Sequence, residues 1–252
     1  MTDTALNHKE NDQEYAPPPL RLLAGEVRYL RDLVMARRAP KTLPREKVAD
    51  DAPVMTLPGL CASDDSMKQL RYNLNAAGFK AKRWKLGRNF GARLDTIERI
   101  DQRVKYIADR TGQPVHLVGW SLGGIMAREY ARLHPESVAS VVTLGSPFSD
   151  SLKANHAWRL YELVAHHKID SMPVEIDPAT KPAVPTFALW SPNDGVVSIA
   201  SARGQLGQSD VIRQLNCGHL GFAFEPQAID AVIECLVEAQ ETGRFSDSEM
   251  PQ

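Results

Sequence analysis

The feature that most constrains the fold is a regular alternation of short apolar segments and amphipathic helical segments from Pro53 onward. The strand candidates lie at 54–57, 79–86, 115–118, 138–144, 186–190 and 211–215. The helix candidates lie at 67–77, 94–107, 122–133 and from Pro226 to about 236. Strands that alternate with helices predict a parallel sheet with helices on both faces. The chain is therefore predicted to have an α/β fold around a mostly parallel central sheet.

The part of the chain before this alternation is divided into a polar tail and a basic helix. Residues 1–19 are polar, and 20–38 repeat apolar residues on one helical stripe. That stripe consists of Leu20, Leu23, Val27, Leu30 and Val34. The other face and the segment that follows are rich in arginine and lysine, so the helix could lie on a membrane surface or on a partner protein. Packing on the domain with a solvated basic face is favoured, because the apolar stripe is narrow.

These segments give a domain organisation with a single α/β unit. Residues 1–49 are assigned to the tail and the basic helix, 50–243 to the α/β domain, and 244–252 to a C-terminal tail. Within the domain, an insertion at about 147–184 is predicted to form a short helical cap over the site. A helix packed on the sheet edge is the alternative for this insertion.

Charge and cysteine content exclude several classes of protein. The 252 residues include 30 Lys and Arg against 31 Asp and Glu, so no strong overall field would draw the chain to nucleic acid. The cysteines, Cys61, Cys217 and Cys235, are too few and too scattered for a disulfide framework or a CxxC metal site. The sequence shows neither an apolar signal core nor an apolar segment of spanning length. We therefore expect a cytoplasmic protein without a metal or other cofactor, whose contact with a membrane, if any, is peripheral.

The motif Gly-Trp-Ser-Leu-Gly at 119–123 places a candidate nucleophile, Ser121, between a buried strand and a helix. A G-x-S-x-G pentapeptide is weak evidence alone, but this strand–turn–helix placement is that of a nucleophile elbow. The glycines are needed because the turn is sharp and a Cβ would crowd the neighbouring strand and helix. The helix N-terminus would also direct backbone N–H groups at negative charge that forms beside the serine. An ordinary N-cap serine is the alternative interpretation.

A nucleophilic serine needs a base, and the base needs an acid that orients it. Asp194 follows the strand candidate 186–190 in Ser-Pro-Asn-Asp-Gly, and His219 follows 211–215 in Asn-Cys-Gly-His-Leu. Either could be an ordinary turn or loop residue, but together they complete the order serine, acid, histidine that this fold class uses. Asp150 is the alternative acid, because it lies just past another strand.

Acyl transfer also needs hydrogen-bond donors aimed at the developing oxyanion. One donor is the N–H of Leu122, the residue after the nucleophile. The second is expected from the loop at 57–65, where Gly59 allows close approach of the backbone. Leu60 is the natural donor there, with Cys61 as the alternate.

Five short motifs carry a family resemblance, and four of them coincide with site elements described above, all but TLGSPF. They are LPGL (57–60), GWSLGG (119–124), TLGSPF (143–148), SPNDG (191–195) and CGHLG (217–221). From Pro53 to about Glu238 the sequence resembles the α/β-hydrolase superfamily, and within it bacterial lipase- and esterase-like members. The resemblance implies the roles of the site residues: Ser121 as nucleophile, Asp194 as acid, His219 as base, and Leu60 and Leu122 as the oxyanion hole.

The residues and the resemblance together predict a serine-dependent carboxylic ester hydrolase, acting on a small-molecule ester with an apolar acyl group. The same machinery would also serve a thioesterase, an amidase or an acyltransferase, because pocket shape rather than the triad sets the substrate. A catalytically silent binding protein on a hydrolase scaffold is the alternative from another class. A nucleotide-binding enzyme is disfavoured, because no strand is followed by G-x-G-x-x-G and no G-x-x-x-x-G-K occurs.

Overall fold

A computed structural model of the chain describes residues 17–91, 95–149 and 177–248, with only the backbone described for 243–248. Within these residues the centre of the fold is a sheet of six parallel strands in the order β2-β1-β3-β4-β5-β6. The strands are β1 (Pro53–Leu57), β2 (Lys80–Arg83), β3 (Val115–Trp120), β4 (Val138–Leu144), β5 (Thr186–Trp190) and β6 (Val211–Gln214). The predicted α/β fold with a parallel central sheet is confirmed.

Helices cover both faces of this sheet in the described part of the chain. They are α1 (Leu20–Arg38), α2 (Lys68–Ala76), α3 (Thr96–Thr111), α4 (Leu122–Leu133), α5 (Ile199–Arg203) and α6 (Pro226–Ser248). One hydrophobic core lies between the sheet and α3 and α4, and a second lies between the sheet and α2 and α6. None of the described helices combines the length and the apolar character needed to cross a membrane.

The sheet places the candidate site residues at one edge. Because all strands run in parallel, their carboxyl ends meet on the same side of the sheet. Ser121 follows β3, Asp194 follows β5, and His219 follows β6. The central strands β3 and β4 are buried almost throughout, which explains why their sequences are apolar at nearly every position.

Strand β2 is shorter than predicted, because Asp64 diverts the chain after Arg83. The carboxylate of Asp64 accepts hydrogen bonds from the backbone N–H groups of Trp84 and Lys85, at 3.0 and 3.2 Å. These bonds replace the ladder bonds that would have continued the strand to residue 86. The side chain of Trp84 is buried in the core on the α3 and α4 side of the sheet.

Helix α1 packs on the domain through a face different from the predicted apolar stripe. Leu33 and Glu26 are buried, whereas Leu20, Val27 and Leu30 are 72%, 71% and 55% exposed. The predicted stripe was wrong for these three residues, because the side chains that α1 turns to the domain are others. Leu33 enters the hydrophobic core, and the carboxylate of Glu26 accepts hydrogen bonds from three backbone N–H groups. The hydrophobic pattern therefore predicted as the buried face one that is largely exposed in the structure.

Most of the predicted cap insertion lies outside the described residues. Its central part, 150–176, is not described, and this range includes the alternative acid Asp150. The cap and the role of Asp150 therefore stay predictions. The chain is described again from Asp177 into β5, and Arg128 of α4 donates to the carbonyl oxygens of Pro178 and Gln208 in this region.

Candidate active site

Ser121 lies in a strained turn between β3 and α4. Its backbone has φ 54° and ψ −123°, a conformation that costs a residue with a Cβ about 1–3 kcal/mol. A Cβ on Gly119 would meet the backbone of Gly123 and Gly124, and one on Gly123 would meet the carbonyl oxygen of Leu57. The turn can form only because both glycines lack side chains, which is the geometry expected of a nucleophile elbow.

The structure brings Asp194 and His219 into contact. The Nδ1 atom of His219 lies 2.8 Å from Oδ2 of Asp194, and both side chains are almost fully buried. The other carboxylate oxygen, Oδ1, accepts hydrogen bonds from the backbone N–H groups of Val196 and Val197, at 2.7 and 2.8 Å. The carboxylate is therefore fixed in orientation. An ionised carboxylate has no hydrogen to donate, so it accepts the hydrogen bond from the imidazole.

The tautomer of the imidazole follows from these contacts. Since Oδ2 of Asp194 is an acceptor, Nδ1 of His219 carries the hydrogen and Nε2 keeps its lone pair. Such a histidine can accept a proton at Nε2, which is the property a general base requires.

Trp120 connects the nucleophile turn to the loop of the histidine. Its indole Nε1 donates to the backbone carbonyl of His219 at 3.0 Å, and the two rings are 5.7 Å apart. In the part of the chain that the structure describes, the Ser121 hydroxyl and the His219 imidazole are not hydrogen-bonded to each other. Catalytic hydrogen bonds of this kind often tighten only when substrate binds.

The charge balance around His219 favours its protonated form. Burial lowers the pKa of His219, but the charge of Asp194, the hydrogen bond with it and the charge of Glu26 together outweigh burial and raise the pKa above its ordinary value. A raised pKa suits a base that must hold a proton during acyl transfer. His116, by contrast, is buried at the opposite end of β3 beside Ser140, and burial lowers its pKa to about 4.

The loop after β1 lies against the nucleophile. A Cβ on Gly59 would come within 3.3 Å of the Cβ of Ser121, so only a small residue allows this approach. Asn89 holds the loop in place, because its side chain donates to the carbonyl of Pro58 at 2.7 Å. The N–H groups of Leu60 and Leu122, the predicted oxyanion donors, have no acceptor among the described residues.

Gly145, the glycine of the motif TLGSPF, lies directly against the carboxylate of Asp194. Its φ is +52°, and a Cβ there would lie 2.9 Å from Oδ2 of Asp194. The sequence alone offered no reason for this glycine, because Gly145 follows β4 whereas Asp194 follows β5, and only the folded sheet brings them together. The described residues contain no cluster of three or more His, Cys, Asp or Glu side chains that could hold a metal ion.

Comparisons with known proteins agree with this architecture. A family model described as alpha/beta hydrolase fold matches residues 54–165. A monoacylglycerol lipase of Paleococcus ferrophilus has a similar structure, with a TM-score of 0.53 at 18% identity over 75% of this chain and 97% of that one. A Bacillus licheniformis lipase gives a TM-score of 0.54 at 17% identity over 79% and 95% of the two chains. The resemblance to the α/β-hydrolase superfamily is thereby confirmed.

One curated relative is similar over a short segment. A pimeloyl-[acyl-carrier protein] methyl ester esterase of Citrobacter koseri is 36% identical over 59 residues, which are 23% of this chain and 22% of the esterase. The chain thus matches less than a quarter of that relative's length. A thioesterase domain from the curacin biosynthetic pathway has a similar structure, with a TM-score of 0.54 at 13% identity over 75% and 92% of the two chains. Together the comparisons support a hydrolase.

Proposed function

Because the chain has the α/β-hydrolase fold, we propose that it is a serine hydrolase that cleaves carboxylic esters through an acyl-enzyme on Ser121. The observation that carries this proposal is the buried contact between Asp194 and His219, at the sheet edge where the strained Ser121 turn lies. A silent binding protein would have no need to keep an oriented acid–base pair beside a strained serine. The family resemblance supports the same assignment.

The proposed reaction follows from the orientation of these groups. Ser121 Oγ attacks the ester carbonyl carbon while Nε2 of His219 takes its proton, and Asp194 stabilises the imidazolium that results. The backbone N–H groups of Leu60 and Leu122 stabilise the oxyanion. The tetrahedral intermediate then releases the alcohol, which takes the proton from His219. Water repeats the attack on the acyl-enzyme and frees the carboxylic acid.

Esters are favoured over thioesters and amides as the substrate class because of the activities for which the similar proteins are named. The short curated match is a methyl ester esterase, and the similar structures include lipases. The thioesterase domain among the similar structures keeps a thioesterase as the second candidate. An amidase or acyltransferase would use the same triad, but nothing in the described residues favours either.

The test is a comparison of initial rates on p-nitrophenyl esters from acetate to palmitate, with thioester and anilide analogues of the preferred acyl group. We expect turnover of the esters to exceed that of the anilides, and a peak in acyl length that measures the acyl pocket. A peak at short chains indicates an esterase, and a peak at long chains indicates a lipase-like acyl site. Turnover of the thioester alone would replace the ester assignment by a thioesterase, and no turnover of any analogue would contradict the proposed function.

We also propose that the outer face of α1 contacts an anionic membrane surface. Exposed Leu20, Val27 and Leu30 lie on the same helix as exposed Arg28 and Arg31, a combination typical of helices that lie in the lipid headgroup region. We expect the chain to co-sediment with phosphatidylglycerol vesicles, and the double variant Val27→Glu, Leu30→Glu to remain in the supernatant. Equal sedimentation of the two proteins, or none with either, would contradict this contact.

A further inference from the structure

Glu26 of α1 contacts both of the loops that carry the acid and the base of the site. The residue is only 7% exposed. Its Oε1 atom accepts hydrogen bonds from the backbone N–H groups of Gly195, at 3.0 Å, and His219, at 2.6 Å. Its Oε2 atom accepts one from the N–H of Leu220, at 3.0 Å. A single carboxylate therefore joins the loop after β5 to the loop after β6.

Two glycines beside the triad residues allow α1 to approach this closely. A Cβ on Gly195, the residue after the acid, would meet the backbone carbonyl of Leu22. A Cβ on Gly218, the residue before the base, would meet the ring of Tyr29. The glycines of SPNDG and CGHLG thus have a second role besides turn formation, because they make room for the helix.

The contact of Glu26 is more than a general anchor for α1. An apolar side chain would anchor a helix without the cost of burying a carboxylate, which must be offset by good hydrogen bonds. Here the carboxylate receives three backbone donors, and the bond from His219 is short, as charge-assisted bonds are. Trp120 donates to the carbonyl of His219 from the other side, so the base is held on both sides of its Cα.

We propose that Glu26 is a positioning residue for the catalytic triad. It fixes the backbone of His219 relative to the loop of Asp194, and its negative charge stabilises the imidazolium that forms during acyl transfer. This inference rests on the proposed function, since it takes Ser121, Asp194 and His219 as the reacting groups.

The negative charge of Glu26 raises the pKa of His219, so the direction of the change on its removal is defined. In the described part of the chain, the charged groups that act on His219 are Asp194, on the loop after β5, and Glu26, on α1. The nearby thiol of Cys217 stays neutral, because burial raises its pKa. Removal of the Glu26 charge therefore lowers the pKa of His219. Since only neutral imidazole acts as a base, the acidic limb of kcat/KM then moves to lower pH.

The test compares Glu26→Gln with Asp32→Asn. Both variants remove one negative charge from α1, but Asp32 is exposed. Glutamine keeps the size of the side chain, yet its NH₂ group opposes one of the backbone donors that the carboxylate satisfied. We expect Glu26→Gln to lower kcat/KM for the preferred ester about 10- to 100-fold, and to move the acidic limb to lower pH. Asp32→Asn should leave both unchanged.

Two further measurements keep the result decisive. Glu26→Asp retains the charge on a shorter side chain that no longer reaches the same backbone donors. We therefore expect a reduced kcat, with the acidic limb of the kcat/KM profile at its wild-type pH. Titration of His219 by NMR reports its pKa without any substrate, and this pKa should fall in Glu26→Gln and not in Asp32→Asn. A wild-type kcat/KM and limb in Glu26→Gln would overturn the proposal. If the wild-type chain shows no serine-dependent turnover, the proposed function fails, and an unchanged His219 pKa in Glu26→Gln would then overturn the positioning role as well.

Discussion

Replacement of Ser121 by alanine is expected to lower kcat for an activated ester by about 10⁴- to 10⁶-fold. The serine oxygen forms the bond to the acyl group, and no other side chain in the turn can replace it. The residual rate would come from the oxyanion donors and substrate binding alone, because these do not depend on the nucleophile. The measurement is the initial rate with p-nitrophenyl butyrate or the preferred homologue, over a range of enzyme concentrations.

Ser140→Ala provides a matched control for this variant. Ser140 is a buried serine on the strand next to β3, and its hydroxyl contacts His116 at 2.7 Å, far from the carboxyl ends of the strands. We expect this variant to keep kcat within a few-fold of the wild-type value. Labelling by an alkyl fluorophosphonate should likewise be lost in Ser121→Ala and retained in Ser140→Ala. Retention of full ester hydrolysis in Ser121→Ala would refute the proposed mechanism.

The second large effect is expected for Asp194→Asn, at about 10⁴-fold in kcat. Two backbone N–H groups, from Val196 and Val197, point at one oxygen of this side chain. In asparagine the amide oxygen must take that position, so the NH₂ group faces Nδ1 of His219. Nδ1 then accepts, and the imidazole proton moves to Nε2. The histidine is left in the tautomer that cannot remove the serine proton.

Asp150→Asn decides between the two acids that the sequence offered. If Asp194 is the acid, Asp150→Asn should lose little activity, whereas Asp194→Asn loses most of it. The thermal unfolding midpoint of each variant shows whether a loss of activity reflects the site or the fold. A large loss in Asp150→Asn combined with an active Asp194→Asn would transfer the role of the acid to Asp150.

The sequence predicted the sheet and the position of the candidate triad because both depend on local patterns. Buried parallel strands need apolar residues at nearly every position, so β3 and β4 were evident from their apolar sequences. A parallel sheet then brings every residue that follows a strand to one edge, which is why Asp194 and His219 could be assigned from their order. The contact between them, at 2.8 Å, agrees with that reasoning.

Glu26 escaped prediction because its partners are remote in the chain. They lie 169, 193 and 194 residues away, and no local pattern distinguishes this glutamate from others on an exposed helix. The apolar stripe of α1 pointed to the wrong face, since part of the surface that α1 covers presents backbone N–H groups, which contact a carboxylate. The signal that could have led to it lies elsewhere, in Gly195 and Gly218. Each of these glycines lies directly next to a triad residue, and a glycine at such a position leaves room for another segment to pack closely.

The long separation between Glu26 and His219 has a consequence for the timing of synthesis. A separation of 193 positions takes roughly 10 to 40 s to translate at ribosomal rates. During that interval the nascent polypeptide already carries α1 and then the Ser121 turn, but not the loop that supplies the base. Contacts of such separation also form late in folding, because the entropy of closing the loop must be paid first. The proposed activity is thus expected to appear only after the loop of His219 has been synthesised and has reached Glu26.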